Sequence, residues 1–252
     1  MQHSLENITI CPSSEVYKWA TTLVVATHPD DEVMGCGGAI ALLREMGYRV
    51  HVLFMCDGSL SYNEEHYLPS RYQIDLRRYE AETAMSILGV SHESITFLDV
   101  KDSMLPCRDQ DGFEEVVRLC RNKIADFIPD TVLVPWRYDE HKDHKAVWQI
   151  MQQALLQEPY GYNLIEYTLK PWIREEQLKH LAFSDLSPWR LDNKPVLEHK
   201  IEAVSKYHSH LIDFLQDEAQ KDVMISSEVL SYITHPWEIY LQATDYPKEF
   251  PQ

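Results

Sequence analysis

The sequence predicts an α/β fold in which helices cover both faces of a mostly parallel sheet. Three observations predict it: four short runs rich in β-branched residues, a segment of helical periodicity behind each run, and a polar turn between the two. Repeated strand–helix–strand units of this kind need long crossovers, which make neighbouring strands run parallel and put helices on the sheet faces. The expected architecture is therefore a Rossmann-like three-layer αβα sandwich.

The first run, Thr22 to Thr27 (TLVVAT), is followed by an apolar helical stretch from Gly38 to Met46 that stops at Gly47, the residue type favoured just past a helix end. The second run is Val50 to Cys56 (VHVLFMC). A polar tract from Asp57 to Asp75 follows, too poor in apolar residues to be core, and reads as a loop or lid before the helix Arg77 to Leu88, closed by Gly89. The third run, Ser94 to Leu98 (SITFL), opens into an acidic turn. The helix Phe113 to Phe127 then stops ahead of Pro129, which cannot continue it. Thr131 to Trp136 (TVLVPW) is the fourth strand, with the helix Lys145 to Leu156 behind it. Beyond Gly161 the pattern weakens to strands at Asn163 to Thr168 and near Lys179 to Phe183 and a long helix from Pro195 to Ala219. The aromatic- and proline-rich end, Ile225 to Gln252, is expected to wrap the body.

At 252 residues and 44% hydrophobic content the chain carries enough apolar material for one sizeable core. A single domain, 1–252, is expected, its core at about 20–160 and its C-terminal part, 161–252, completing the site. Forty acidic residues against 23 basic ones give a formal charge of -17, which repels a phosphate backbone or an anionic membrane and argues against a nucleic-acid partner. The five cysteines (Cys11, Cys36, Cys56, Cys107, Cys120) are odd in number and form no Cys-x-x-Cys pair, which fits a reducing cytoplasm. Met1 to Glu15 has neither a basic nor an apolar signal region, and no run approaches the roughly 18 apolar residues that span a bilayer, so a cytoplasmic protein without a transmembrane anchor is expected. Homo-oligomerisation is left open.

In an open parallel sheet, ligands collect beyond the carboxyl ends of the strands. The polar groups cluster there. Strand one empties into His28-Pro29-Asp30-Asp31-Glu32, strand two into Asp57-Gly58-Ser59, strand three into Asp99 and Asp102, and strand four into Asp139-Glu140-His141-Lys142-Asp143-His144. His28 and Asp31 are three apart, as are His141 and His144, a spacing that puts both members of a pair on one side of a turn or helix start. Two such pairs from distant segments are what a zinc site with an open position for water requires. Adjacent aspartates, Asp30 and Asp31, point apart, so one can bind metal while the other faces the open position.

The segment Ala26-Thr27-His28-Pro29-Asp30-Asp31-Glu32, followed by Gly35 and Gly37-Gly38, resembles the signature of the LmbE/PIG-L deacetylase family. So do Pro135-Trp136 through Asp139-Glu140-His141-Lys142-Asp143-His144, the helix segment Arg77-Arg78-Tyr79-Glu80-Ala81 with Leu88-Gly89, and the turn of Asp102 with Leu105. A later helix, Lys200 to Ser209, is similar too, although His210 stands where the family commonly has glutamine. The resemblance implies a metal-dependent hydrolase that removes the acetyl group from an N-acetylated amino sugar or glycoside, with Zn2+ as cofactor and Fe2+ as the other ion that two imidazoles and a carboxylate suit. It implies His28, Asp31 and His144 as metal ligands and Asp30 as the base that takes a proton from the water and returns it to the amine. His141 would stabilise the oxyanion as a protonated imidazole held by Asp143 or Asp139, and Arg77 and Asp102 would contact substrate. Which small N-acetylated glycoside is the partner is not implied, because the motifs report the reaction rather than the substrate.

Other readings carry less. Gly35-Cys36-Gly37-Gly38 with Asp57 about twenty residues on imitates a dinucleotide fingerprint, but Ile40 stands at its last glycine position, and Asp30-Asp31 would meet the pyrophosphate. Cys36 lacks an oxyanion motif, Ser59 lacks a Gly-x-Ser-x-Gly elbow, and buried structural cysteine is the commoner fate. A metal-dependent amidase with a non-sugar substrate would share every motif. A scaffold that had lost its chemistry would show a missing base, yet both Asp30 and His141 are present.

Overall fold

The computed structural model describes residues 2–4, 8–60, 70–159, 161–169, 172–174, 186–209 and 234–243. Two short strands, β1 (Gln2–Ser4) and β2 (Ile10–Cys11), precede β3 (Thr22–Ala26), α1 (Asp31–Glu45), β4 (Val50–Cys56), α2 (Ser70–Ile87), β5 (Ile95–Val100), α3 (Phe113–Phe127), β6 (Thr131–Pro135) and α4 (Lys142–Leu156). The chain continues through β7 (Asn163–Tyr167), β8 (Trp172–Arg174), β9 (Leu186–Asp192), α5 (Leu197–Val204) and β10 (Trp237–Ala243).

An eight-stranded sheet of order β2-β9-β10-β7-β6-β3-β4-β5 forms the middle layer. From β5 to β7 every pairing is parallel; β10 then runs antiparallel to both β7 and β9. Strand residues alternate between two apolar layers. Val24, Ala26, Val52, Phe54 and Leu133 pack on the α1 side, whereas Leu23, Val25, Leu53, Met55, Val132 and Val134 pack against α3 and α4. Burial on both faces is why these strands read as continuous apolar runs. The expected three-layer α/β architecture is thus present.

The helix expected from Gly38 begins at Asp31, because three glycines in its first half hide it from a propensity reading. These glycines serve close packing instead: a Cβ at Gly35 would lie 2.3 Å from the Tyr167 ring, and one at Gly38 2.5 Å from Asn193 Cβ. Through that gap the Glu238 carboxylate accepts the N–H groups of Gly38 (2.7 Å) and Ala39 (3.0 Å). Lys200, itself 2.6 Å from Glu238, donates to Met34 O, tying α1 to α5 and β10.

Helix α2 starts at Ser70, inside the tract read as a loop. The long helix expected from Pro195 to Ala219 is represented by a 3-10 turn, Lys194–Val196, and by α5; residues 210–219 lie outside the described residues. So do the strand expected at Lys179 to Phe183, residues 61–69 of the expected lid, and all of Ile225 to Gln252 except 234–243. Among the described residues no helix is long and apolar enough to cross a membrane.

Candidate metal centre at the carboxyl ends of the strands

Going outward from β3, the sheet continues through β4 and β5 on one side and through β6 and β7 on the other. The connections leaving β3 and β6 therefore depart to opposite sides of the sheet and leave a crevice between them. The turn after β3 carries His28, Asp30 and Asp31; the turn after β6 carries Asp139 and His141 and leads into α4 with Asp143 and His144.

Asp31 is the first residue of α1, where a carboxylate suits the positive end of the helix. Its Oδ2 accepts the His28 backbone N–H at 2.9 Å and lies 3.6 Å from His28 Nδ1 and 3.3 Å from His144 Nε2. One carboxylate oxygen thus sits between two imidazoles that are distant in sequence. Ring nitrogens of His28, His141 and His144 lie within 4.8 Å of one another. Behind His144, Asp139 Oδ1 is 3.2 Å from Nδ1 and also accepts the His141 N–H at 2.8 Å. Behind His28, Nε2 faces Asp102 Oδ1 at 3.2 Å and Asp143 Oδ2 at 3.6 Å.

The electrostatics follow from this crowding. Burial alone would depress the His28 pKa, but Asp102, Asp143 and Asp31 outweigh it and hold the group well above its ordinary value. Burial opposes His144 in the same way, yet Asp31 and Asp139 push it up to about 9. Asp31, despite its burial, is held well below the usual carboxylate range by His144 and His28. Two imidazoles and one carboxylate around a shared point, with carboxylates behind both rings, form a donor set that fits zinc or ferrous iron.

Asp30 lies beside this group with its backbone at φ 125, outside the range comfortable for a residue with a Cβ. Its N–H donates to Glu32 Oε2 at 2.9 Å, and Tyr207 OH donates to Glu32 Oε1. Glu32 is fully buried, and that burial pushes its pKa to about 8 against the opposing bonds from Tyr207 and Asp30. Arg77, expected to contact substrate, is 0% exposed; its Nη2 donates to Pro29 O and stands 3.5 Å from Asp30 Oδ2. Asp102, the other expected contact, lies at the centre against His28, its N–H bonded to Asp57 Oδ1.

His141 caps α4 and is exposed at the mouth of the crevice. Its Nδ1 accepts the Asp143 N–H at 3.2 Å, so the ring proton sits on Nε2. Partial desolvation of the ring, then the neighbouring His144 and His28, lower its pKa, which works against the protonated imidazole expected there. Asp143 thus meets His141 through its backbone, while its carboxylate turns to Ser103 N–H (3.0 Å) and His28. Asp31, His28, His141, Asp143, His144 and Asp102 converge on the crevice, and the adjacent Asp30 meets Arg77 beside them.

Two contributors, Tyr207 and Cys56, escaped sequence reasoning. Tyr207 follows α5 within the 200–209 segment that resembles the family, but nothing in the sequence tied it to Glu32. Glu32 is legible in the motif as a group that fixes the backbone, and its carboxylate accepts the Asp30 N–H. Cys56 ends β4 and reaches the His28–Asp143 pair, a placement that follows once β4 is known to neighbour β3. Gly35 to Gly38 lie inside α1, packed and buried, rather than in a turn able to cradle a pyrophosphate. Cys36 is fully buried among them, and burial pushes its thiol well up.

A family model described as PIG-L: GlcNAc-PI de-N-acetylase matches residues 23–155. Diacetylchitobiose deacetylase from Thermococcus kodakarensis is 34% identical over 138 residues, 53% of this chain and 47% of that protein. The 4-oxalmesaconate hydratase of Pseudomonas putida is 32% identical over 149 residues, 56% of this chain and 54% of that one. The chain thus spans about half the length of these curated relatives. Among solved structures, N,N'-diacetylchitobiose deacetylase from Pyrococcus horikoshii superposes with a TM-score of 0.58 at 23% identity, over 75% of this chain and 70% of that one. The A40926 pseudoaglycone deacetylase superposes with a TM-score of 0.63 at 18% identity, over 92% and 100%. These two share the fold.

Proposed function

Because the chain belongs to the PIG-L (GlcNAc-PI de-N-acetylase) family, whose model matches residues 23–155, we propose that it is a zinc-dependent N-deacetylase acting on a small N-acetylated amino sugar or glycoside. The observation that carries this reading is the meeting of His28, Asp31 and His144 around one carboxylate oxygen, with Asp30 alongside. These three residues would hold the ion, which supplies Lewis acidity and makes a bound water easier to deprotonate. Asp30 takes the proton of the attacking water and returns it to the departing amine, so that acetate and free amine leave. His141 offers Nε2–H to the oxygen on which negative charge develops, a role that needs no charged ring. Arg77 and Glu32 hold Asp30 in its strained backbone position, one from the side-chain end and the other from the N–H.

The hydratase relative carries a second reading, in which the same activated water adds across a carbon–carbon double bond. The charge pattern favours deacetylation. Among the described residues the crevice presents imidazoles and carboxylates, and Arg77 faces Pro29 and Asp30. A neutral N-acetylated sugar suits that lining better than a polycarboxylate does.

The metal content of protein purified without added metal, read for all first-row transition metals, tests the centre. Near-stoichiometric zinc in the wild type and its loss in His144→Ala are expected. Wild-type protein that takes up no ion even on reconstitution sinks the reading. Amine release from N-acetylglucosamine glycosides, set against loss of the absorbance of an unsaturated carboxylate, then separates the two reactions.

A further inference from the structure

Cys56 takes no part in the reaction proposed above, yet it stands within it. It closes β4, is fully buried, and donates its backbone N–H to Thr27 O at 2.8 Å, beside the turn that carries His28. Its Sγ, one ring nitrogen of His28 and one carboxylate oxygen of Asp143 lie within 4.8 Å of one another, close to the spacing of ligands around a single ion.

A second, independent observation comes from Asp143. The residue is 1% exposed, and Oδ2 is satisfied by the Ser103 N–H. Oδ1 is buried and has no hydrogen-bond partner. A buried carboxylate oxygen left without a partner is costly, and a bound cation is one arrangement that satisfies it.

His28 links this group to the first centre. Its Nδ1 edge faces Asp31 and its Nε2 edge faces Asp102 and Asp143, so the ring stands between two sets of ligands. The first set holds only nitrogen and oxygen. The second adds sulfur, and soft cations prefer thiolate where harder ones do not.

We propose that Cys56, Asp143 and His28 form a second cation site, selective for thiophilic divalent ions such as cadmium, that shares the His28 ring with the first centre. This inference rests on the first centre lying where it is placed above. On binding, Cys56 loses its thiol proton to solvent and coordinates as thiolate, while Asp143 binds as the carboxylate it already is.

The test is a titration of the zinc-loaded protein with cadmium chloride, followed by thiolate-to-cadmium charge-transfer absorption in the ultraviolet. Wild type and Cys107→Ser are expected to develop the band, whereas Cys56→Ser and Cys56→Ala, each checked for native circular dichroism, are expected to lack it. A band that survives in either folded Cys56 variant overturns the proposal, as does cadmium binding to wild type without a band. Should the wild type bind neither zinc nor cadmium, the first centre falls as well, so the two failures are distinguishable.

Discussion

Asp30 shows what a single residue is asked to do. A side chain at φ 125 is unfavourable by about 1–3 kcal/mol, and Glu32 and Arg77 over-determine the position that holds it there. Asp30→Asn should therefore retain zinc, because the ligands are untouched, while lowering kcat by roughly 10²–10⁴. Equal zinc loading with lost turnover is the result to look for, and zinc lost together with activity would make Asp30 a ligand instead. His51 gives a residue-scale prediction away from the site. Half-buried near the start of β4, with Nε2 2.8 Å from Thr96 Oγ1, it is depressed to about 4, first by desolvation and then by Lys123. The folded state holds His51 neutral, so its contribution is fully present above the ordinary value of 6.5 and is lost as the pH falls from there toward 4. His51→Gln should flatten that part of the Tm-against-pH curve. An unchanged slope would show that other groups set the acid limb.

At the scale of elements, α1 is the piece on which the site depends, since its first turn supplies Asp31 and Glu32 and its middle is locked by distant chain. Glu238 on β10 and Lys200 on α5 are each 1% exposed and paired at 2.6 Å, and their remaining bonds go to α1 backbone and Tyr240. Removing one partner leaves a buried charge uncompensated, so Lys200→Met should destabilise the fold by about 3–5 kcal/mol, read as a shift in the denaturant midpoint. The double variant Lys200→Met/Glu238→Leu should recover part of that loss. If it does not, the backbone bonds of Glu238 matter more than its pairing.

For the whole molecule, the sheet order and the net charge decide what reaches the crevice. A chain of charge -17 repels anions at long range, and salt relieves that repulsion. With a neutral N-acetylated glycoside, kcat/KM should be nearly constant as ionic strength rises from low to physiological values. A marked rise with salt would point to an anionic substrate and favour the hydratase reading.

Much of this was readable from the residues alone. The α/β class, the four core strands, the helix 113–127 and the cluster of histidines and carboxylates at strand ends all follow from periodicity and spacing, because these record local preferences and each strand's burial. The glycine-bearing start of α1 was not readable, since intrinsic propensity opposes it and only Tyr167, Asn193, Lys200 and Glu238 repay it. Nor were the places of Arg77, Tyr207 and Cys56, which belong to segments that meet Asp30 and His28 only after the sheet has closed. The sequence by itself determined which chemistry the chain carries, because that chemistry resides in side chains whose spacing is local. Only the tertiary structure decided which of them meet, because strand order and helix docking are non-local packing outcomes: they seated β3 beside both β4 and β6 and so brought His28 to Cys56 and Asp31 to His144.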